Sequence, residues 1–178
     1  MSAVVPIAVV PIADMAAIVF TDLVGFTAYT DVHGDRAALD VLDRQSSLVH
    51  DQLSGQGRIV KELGDGLMLW FEDGPAGLTV ARNILASVCA ARDHDEFPLA
   101  VRMGMHVGDV IERGADFVGQ TVNIASRVAD LAGPGELLVT EQVVRSLDEN
   151  GQTAAFRPVG PTRVKGVGAP VWLHRLAT

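Results

Sequence analysis

The stretch KELGDGLMLW, residues 61–70, holds Lys61 and Asp65 four positions apart, with the aspartate set between Gly64 and Gly66. Asp and Gly are ordinary hairpin residues, so this stretch alone fits a solvated turn as well as a site. A second carboxylate, Asp22, follows the apolar run AAIVF at residues 16–20. Two carboxylates brought together from a strand end and a hairpin tip can hold two divalent cations about 4 Å apart, a spacing that clamps a phosphoryl group during in-line displacement. The turn Leu23-Val24-Gly25-Phe26-Thr27 comes next. If it opens a helix, the free amides at Phe26 and Thr27 can receive phosphate oxygens, and Gly25 lets the backbone come close. Four residues of extended chain span roughly 13 Å, so Lys61 and Asp65 serve different neighbours better than one shared group.

The elements that must position these groups are legible from periodicity. Residues 16–20 read as a buried strand, and Asp35 as the start of a helix running to about residue 54. RIVKEL and LMLWF form a hairpin around Gly64-Asp65-Gly66, and Pro75 suits the first turn of a helix reaching about residue 92. LAVRMGMHVGDVI (99–111) is a long strand, residues 119–132 a helix stopped by Gly133-Pro134, and 136–140 a strand. A short helix over 141–148 and two strands around AAFRPV and PVWLHRL close the chain. In the helix over 119–132, Asn123, Arg127 and Asp130 share a stripe apart from the apolar positions 122, 125, 128, 129 and 132. Hairpins mixed with crossovers predict an α+β fold, a largely antiparallel sheet covered by helices.

Composition narrows the function classes. With 178 residues, 48% of them hydrophobic, the chain suits one domain with a proper core. Only 14 Lys and Arg stand against 22 acids, a formal charge of -8, which argues against a nucleic-acid surface. A phosphate-bearing ligand then needs metal ions between itself and the carboxylates. The single Cys89 excludes a disulfide framework and fits a reducing compartment, and its apolar neighbours place it in a helix core. MSAVVPIAVVPIADM carries two prolines, lacks a basic start and is too short to span a membrane, so residues 1–13 are read as a flexible segment ahead of a domain over 14–178. There is no GxxxxGK[ST], GxSxG or HExxH, nor a GxGxxG after a strand.

FTDLVGFT, KELGDGL, DFVGQTVNIASR and VKGVGAPV, in that order, resemble the successive motifs of the class III nucleotidyl cyclase catalytic domain over roughly residues 14–176. The resemblance implies a ferredoxin-like, palm-type sheet and a cytoplasmic homodimer with two shared active sites. By position, Asp22 and Asp65 would bind two Mg²⁺ or Mn²⁺ ions, with the Leu23 carbonyl adding a ligand. Lys61 and Asp116 would read adenine, and Asn123 would hold the ribose. Arg127 would stabilise charge on the α-phosphate, and Lys165 would meet the terminal phosphates, as would the turn at Phe26 and Thr27. The implied reaction turns ATP into 3',5'-cyclic AMP and pyrophosphate, with Asp22 and Asp65 from one subunit and Lys61, Asp116, Asn123 and Arg127 from the other. The segment VIERGA between Asp109 and Asp116 resembles a shortened form of the family's dimerisation arm. A guanylate cyclase, which would need an acceptor where Lys61 stands, and a non-catalytic nucleotide-binding regulator remain as alternatives. A diguanylate-forming palm enzyme lacks its GGDEF-like hairpin.

Several polar residues read as structural. His106 is a strand residue and Asp109 a turn residue, while Asp31, His33 and Asp35 form a surface and capping cluster. Trp70 and Trp172 fall in strand patterns and read as core.

Overall fold

The computed structural model describes residues 9–147 and 156–177. Strand β1 (Val9–Val24) extends the apolar run in both directions and lies between β3 (Gly66–Phe71) and β4 (Ala100–Arg113), antiparallel to each. Its first residues, Val9 to Ile12, pair with Arg113 to Val110, so residues 9–13 belong to this strand rather than to a separate segment. Residues 1–8 lie outside the described residues. The hairpin of β2 (Gly57–Leu63) and β3 is closed by Gly64 and Asp65, with Gly64 at φ 69°, a conformation glycine adopts without cost.

Strands β6 (Leu137–Thr140), β7 (Phe156–Thr162) and β8 (Val171–Leu176) complete the order β2-β3-β1-β4-β6-β8-β7. The three-residue β5 (Asp116–Val118) pairs with β4 alone. Among the described residues only β4 and β6 run parallel, so the expected open, largely antiparallel α+β sheet is present.

Alternation along β1 sends Ala17, Val19 and Leu23 into one core and Ala16, Ile18 and Phe20 into another. Helices α1 (Phe26–Leu53) and α2 (Gly74–Asp93) bury their apolar faces against the first. There Asp73 caps α2 by accepting from the Ala76 amide at 2.8 Å, with Pro75 in the first turn as expected. The second core is covered in part by α3 (Gln120–Leu131), through Val122, Ala125 and Ala129. Helix α3 lies close on β4 because Gly104 and Gly108 carry no side chain beneath it: a Cβ on Gly104 would collide with the Ala129 backbone, and one on Gly108 would stand 2.7 Å from Thr121 Oγ1. A short helix α4 (Glu141–Ser146) follows β6.

Three details depart from the sequence reading. Helix α1 starts at Phe26, and Gly34 (φ 81°, ψ 168°) interrupts it; the apolar pattern becomes regular only after that break, which is why Asp35 resembles a start. Asp109 lies inside β4, where its carbonyl accepts from Thr121 Oγ1 at 2.6 Å. Trp172 is 54% exposed, because its neighbours Val171 and Leu173 take the buried face of β8.

His106 is a buried strand residue as expected, with Nδ1 2.7 Å from Thr140 Oγ1 on β6. Burial lowers its pKa to about 4. An imidazole whose folded pKa lies below its unfolded value favours the fold while neutral, so its contribution is present above pH 6.5 and fades as the pH falls toward about 4. Between pH 7 and pH 5 the protein should lose on the order of 2 kcal/mol of unfolding free energy through this one group. Urea titrations at the two pH values, on the wild type and on His106→Gln, check this: the variant should show the smaller difference.

Candidate active site

Asp22 falls on the α3-facing side of β1, opposite Arg102 on β4 and Gly66 on β3. Asp65 occupies the tip of the neighbouring hairpin. The Asp22 carboxylate accepts from Arg102 Nε at 2.6 Å, and Arg102 Nη1 also donates to the Asp130 carbonyl at 3.1 Å. Burial first, and the charge of Asp22 second, push the Asp65 carboxyl above its usual value, against the weaker pulls of its own backbone amide and of Arg102. A carboxyl whose ionisation is opposed by a neighbouring carboxylate suits a divalent cation. Among the described residues no group of three or more His, Cys, Asp or Glu gathers. Two carboxylates with water and substrate phosphate completing the shell is, however, the manner in which Mg²⁺ is commonly held. Leu23, the third expected ligand through its carbonyl, follows Asp22 in β1, with its side chain in the helix-covered core.

Lys61 reaches the α3-facing side through a bulge. Ile59 pairs with Leu69, yet Lys61 pairs with Met68, so Val60 is the extra residue of β2. Ile59 and Leu69 belong to the helix-covered core and Met68 to the other, so the bulge turns Lys61 over to the second face. There Lys61 Nζ donates to Asp116 Oδ2 at 2.6 Å, and the Phe117 amide donates to Asp116 Oδ1 at 2.8 Å. Burial pulls the Asp116 carboxyl up, but those two hydrogen bonds and the charges of Lys61 and Arg113 outweigh it and hold the group below its ordinary value. A fixed cation and a fixed carboxylate thus stand side by side.

Asn123 and Arg127 are exposed on α3, one turn apart, and Arg127 Nη1 lies 3.2 Å from Asp130 Oδ2. Lys165 is exposed in the β7–β8 loop, whose Val164 packs in one cluster with Ile124 and Val128 of α3. Lys165 therefore neighbours the Arg127 helix, and its loop follows the strand at the sheet edge opposite β2. Phe26 and Thr27 form the first turn of α1, behind Gly25 at φ 82°, with no side-chain cap and no acidic residue in that turn. The amides of this turn are open to an anion.

The sequence profile of the adenylate and guanylate cyclase catalytic domain matches residues 9–175. The chain belongs to this family. A pH-sensitive adenylate cyclase of Mycobacterium tuberculosis is 32% identical over 168 residues, covering 93% of this chain and 41% of that protein. An adenylate cyclase of Streptomyces coelicolor is 30% identical over 144 residues, covering 78% of this chain and 37% of its own length. The chain thus spans about two-fifths of these curated relatives. In fold it matches the adenylyl cyclase CyaB from P. aeruginosa with a TM-score of 0.80 at 21% identity, covering 93% of this chain and 94% of that one. It matches the guanylate cyclase domain of RhGC from Catenaria anguillulae, in complex with GTP, at 0.79 and 15%, covering 93% and 97%. The fold is therefore common to cyclases named for either nucleotide. No helix among the described residues is long and apolar enough to cross a membrane.

In this cyclase domain two groups escaped the sequence reading. Arg102 is the cation on Asp22, and its signal was available: a charged residue inside the otherwise apolar strand LAVRMGM. Arg58 lies over the rings of Trp70 and Phe117, at 5.5 and 5.0 Å from their centroids, and nothing in the spacing of those three residues announces it.

Proposed function

We propose that this domain is an adenylate cyclase, converting ATP into 3',5'-cyclic AMP and pyrophosphate at sites shared between two copies of the chain in the cytoplasm. The observation that carries the reading is the Lys61–Asp116 pair at 2.6 Å. An ammonium donor beside a carboxylate acceptor complements the adenine edge: Lys61 donates to N1, and Asp116 accepts from the exocyclic amine. A guanine edge presents a donor at N1, so a site for it needs an acceptor where Lys61 stands.

Asn123 orients the ribose, and Arg127, one turn further along α3, meets the charge that develops on the α-phosphate as the ribose 3'-oxygen attacks. A bond forms from the 3'-oxygen to the α-phosphorus, the hydroxyl proton passes to water, the bond from the α-phosphorus to the bridging oxygen breaks, and pyrophosphate leaves. Lys165 and the amides at Phe26 and Thr27 receive the outer phosphates. Asp22 and Asp65, with the Leu23 carbonyl, would hold two Mg²⁺ or Mn²⁺ ions, which when bound would lower the pKa of the 3'-hydroxyl and neutralise the triphosphate. Arg102 pairs with Asp22 at 2.6 Å and offsets its charge.

Product formation from ATP and from GTP, each with Mg²⁺ and with Mn²⁺ and over a range of protein concentrations, tests the reading. Cyclic AMP is expected, with specific activity rising with protein concentration and GTP a poor substrate. Cyclic GMP as the main product would make the domain a guanylate cyclase. No cyclic product from folded, dimeric protein would make it a nucleotide-binding regulator.

A further inference from the structure

The pair Lys61–Asp116 joins β2 to β5, two strands that do not pair with each other. Strand β5 is three residues long, returns from β4 through Gly114 and Ala115, and has no other sheet partner among the described residues. So short an edge strand does not hold its own position to a fraction of an ångström. Asp116 is nonetheless held 2.6 Å from Lys61. Next to it, the buried ring of Phe117 stacks on Trp70 of β3, with centroids 5.4 Å apart and planes 12° from parallel. Arg58, opposite Trp70 on β2, spans both rings and reaches beyond them to β4, where Nη2 lies 3.0 Å from Glu112 Oε1. Glu112 is itself the ladder partner of Phe117.

We infer that Arg58, through its stack on Trp70 and Phe117 and its ion pair with Glu112, positions β5 against β2 and so sets how well this domain tells adenine from guanine. Arg58, whose partners are Trp70, Phe117 and Glu112, is a positioning residue; the groups that read the base are Lys61 and Asp116. The inference rests on that reading of the pair. A guanidinium is suited to the task because it is planar, lies flat on aromatic faces and keeps donors free at its rim for a carboxylate. A lysine supplies the charge without the plane. The Trp70 indole N–H is buried and meets no acceptor among the described residues.

The test uses Trp172→Phe protein, in which Trp70 is the one tryptophan left of two. Into it are placed Arg58→Ala, Arg58→Lys and, separately, Lys61→Glu. Two quantities are read: Trp70 emission with its quenching by acrylamide, and equilibrium affinities for 3'-deoxy-ATP and 3'-deoxy-GTP with Mg²⁺ present, analogues that lack the attacking hydroxyl. Arg58→Ala should shift Trp70 emission to the red and open it to quencher. It should also lower the adenine-to-guanine affinity ratio about tenfold, through weaker binding of the adenine analogue. Arg58→Lys should recover part of that ratio.

The inference is overturned if Arg58→Ala exposes Trp70 and leaves the ratio unchanged, if both analogues weaken equally, or if Trp70 emission does not move. Lys61→Glu separates this failure from failure of the base-reading pair. A changed ratio in Lys61→Glu with none in Arg58→Ala removes the role of Arg58 alone. An unchanged ratio in Lys61→Glu removes the reading of the pair, and the inference with it.

Discussion

Asp65→Ala should lower cyclic AMP formation by about three orders of magnitude or more and leave the thermal midpoint unchanged or slightly raised. The first half follows from what the carboxylate is for. A metal-held phosphoryl group owes several kcal/mol of transition-state stabilisation to its cations, and each 1.4 kcal/mol is about tenfold in rate. The second half follows from the electrostatics. Burial and the charge of Asp22 both raise the Asp65 pKa, so ionised Asp65 works against the fold at neutral pH. Removing it relieves that repulsion, and the hairpin keeps Gly64 and Gly66 to make its turn. Loss of rate without loss of stability is the mark of a group held for chemistry at a cost to the fold. Initial rates and thermal melts on one preparation decide it: a variant retaining more than about a tenth of the wild-type rate would contradict the two-metal assignment, since several kcal/mol cannot vanish for a tenfold effect.

The parts of the fold that were legible from the chain are those governed by local periodicity. The hairpin tip at Gly64-Asp65, the first turn of α2 around Pro75 and the stop of α3 before Gly133 are each set by residues adjacent in sequence. What escaped is set by cross-strand register and by bulges. Lys61 faces Asp116 only because Val60 is inserted into β2, and a one-residue insertion that flips a side chain leaves no mark on alternation. Arg102 meets Asp22 because two strands eighty residues apart in sequence align Asp22 with Arg102. The Arg58, Trp70 and Phe117 stack joins three strands. Residue types told which chemistry the domain carries, and register told which residues hold it in place. Trp172 shows the converse: a large apolar side chain in a strand pattern reads as core, yet an eight-stranded open sheet offers faces that no helix covers.

The shared-site reading makes the more demanding prediction. In one copy of the chain, Asp22 engages Arg102, Lys61 engages Asp116, and Arg127 engages Asp130. On the shared-site reading, Asp22 and Asp65 form one half-set and Lys61, Asp116, Asn123 and Arg127 the other. A two-fold interface would place the carboxylates of one subunit across from Lys61, Asp116, Asn123 and Arg127 of the other, twice over. Asp22→Ala then damages the carboxylate half of each site and Arg127→Ala the phosphate half, so either homodimer has two broken sites and should be nearly silent. In a heterodimer both lesions fall in one site and the second is intact. Random exchange of equal amounts makes half the dimers mixed with one good site in each, so activity should return to about a quarter of the wild-type value. The measurement is the rate after mixing two separately inactive preparations carrying different tags, with co-purification of the tags establishing exchange. Recovery near that fraction can arise only if one catalytic centre draws on both chains. Confirmed exchange with no recovery would mean that each chain holds its own complete site.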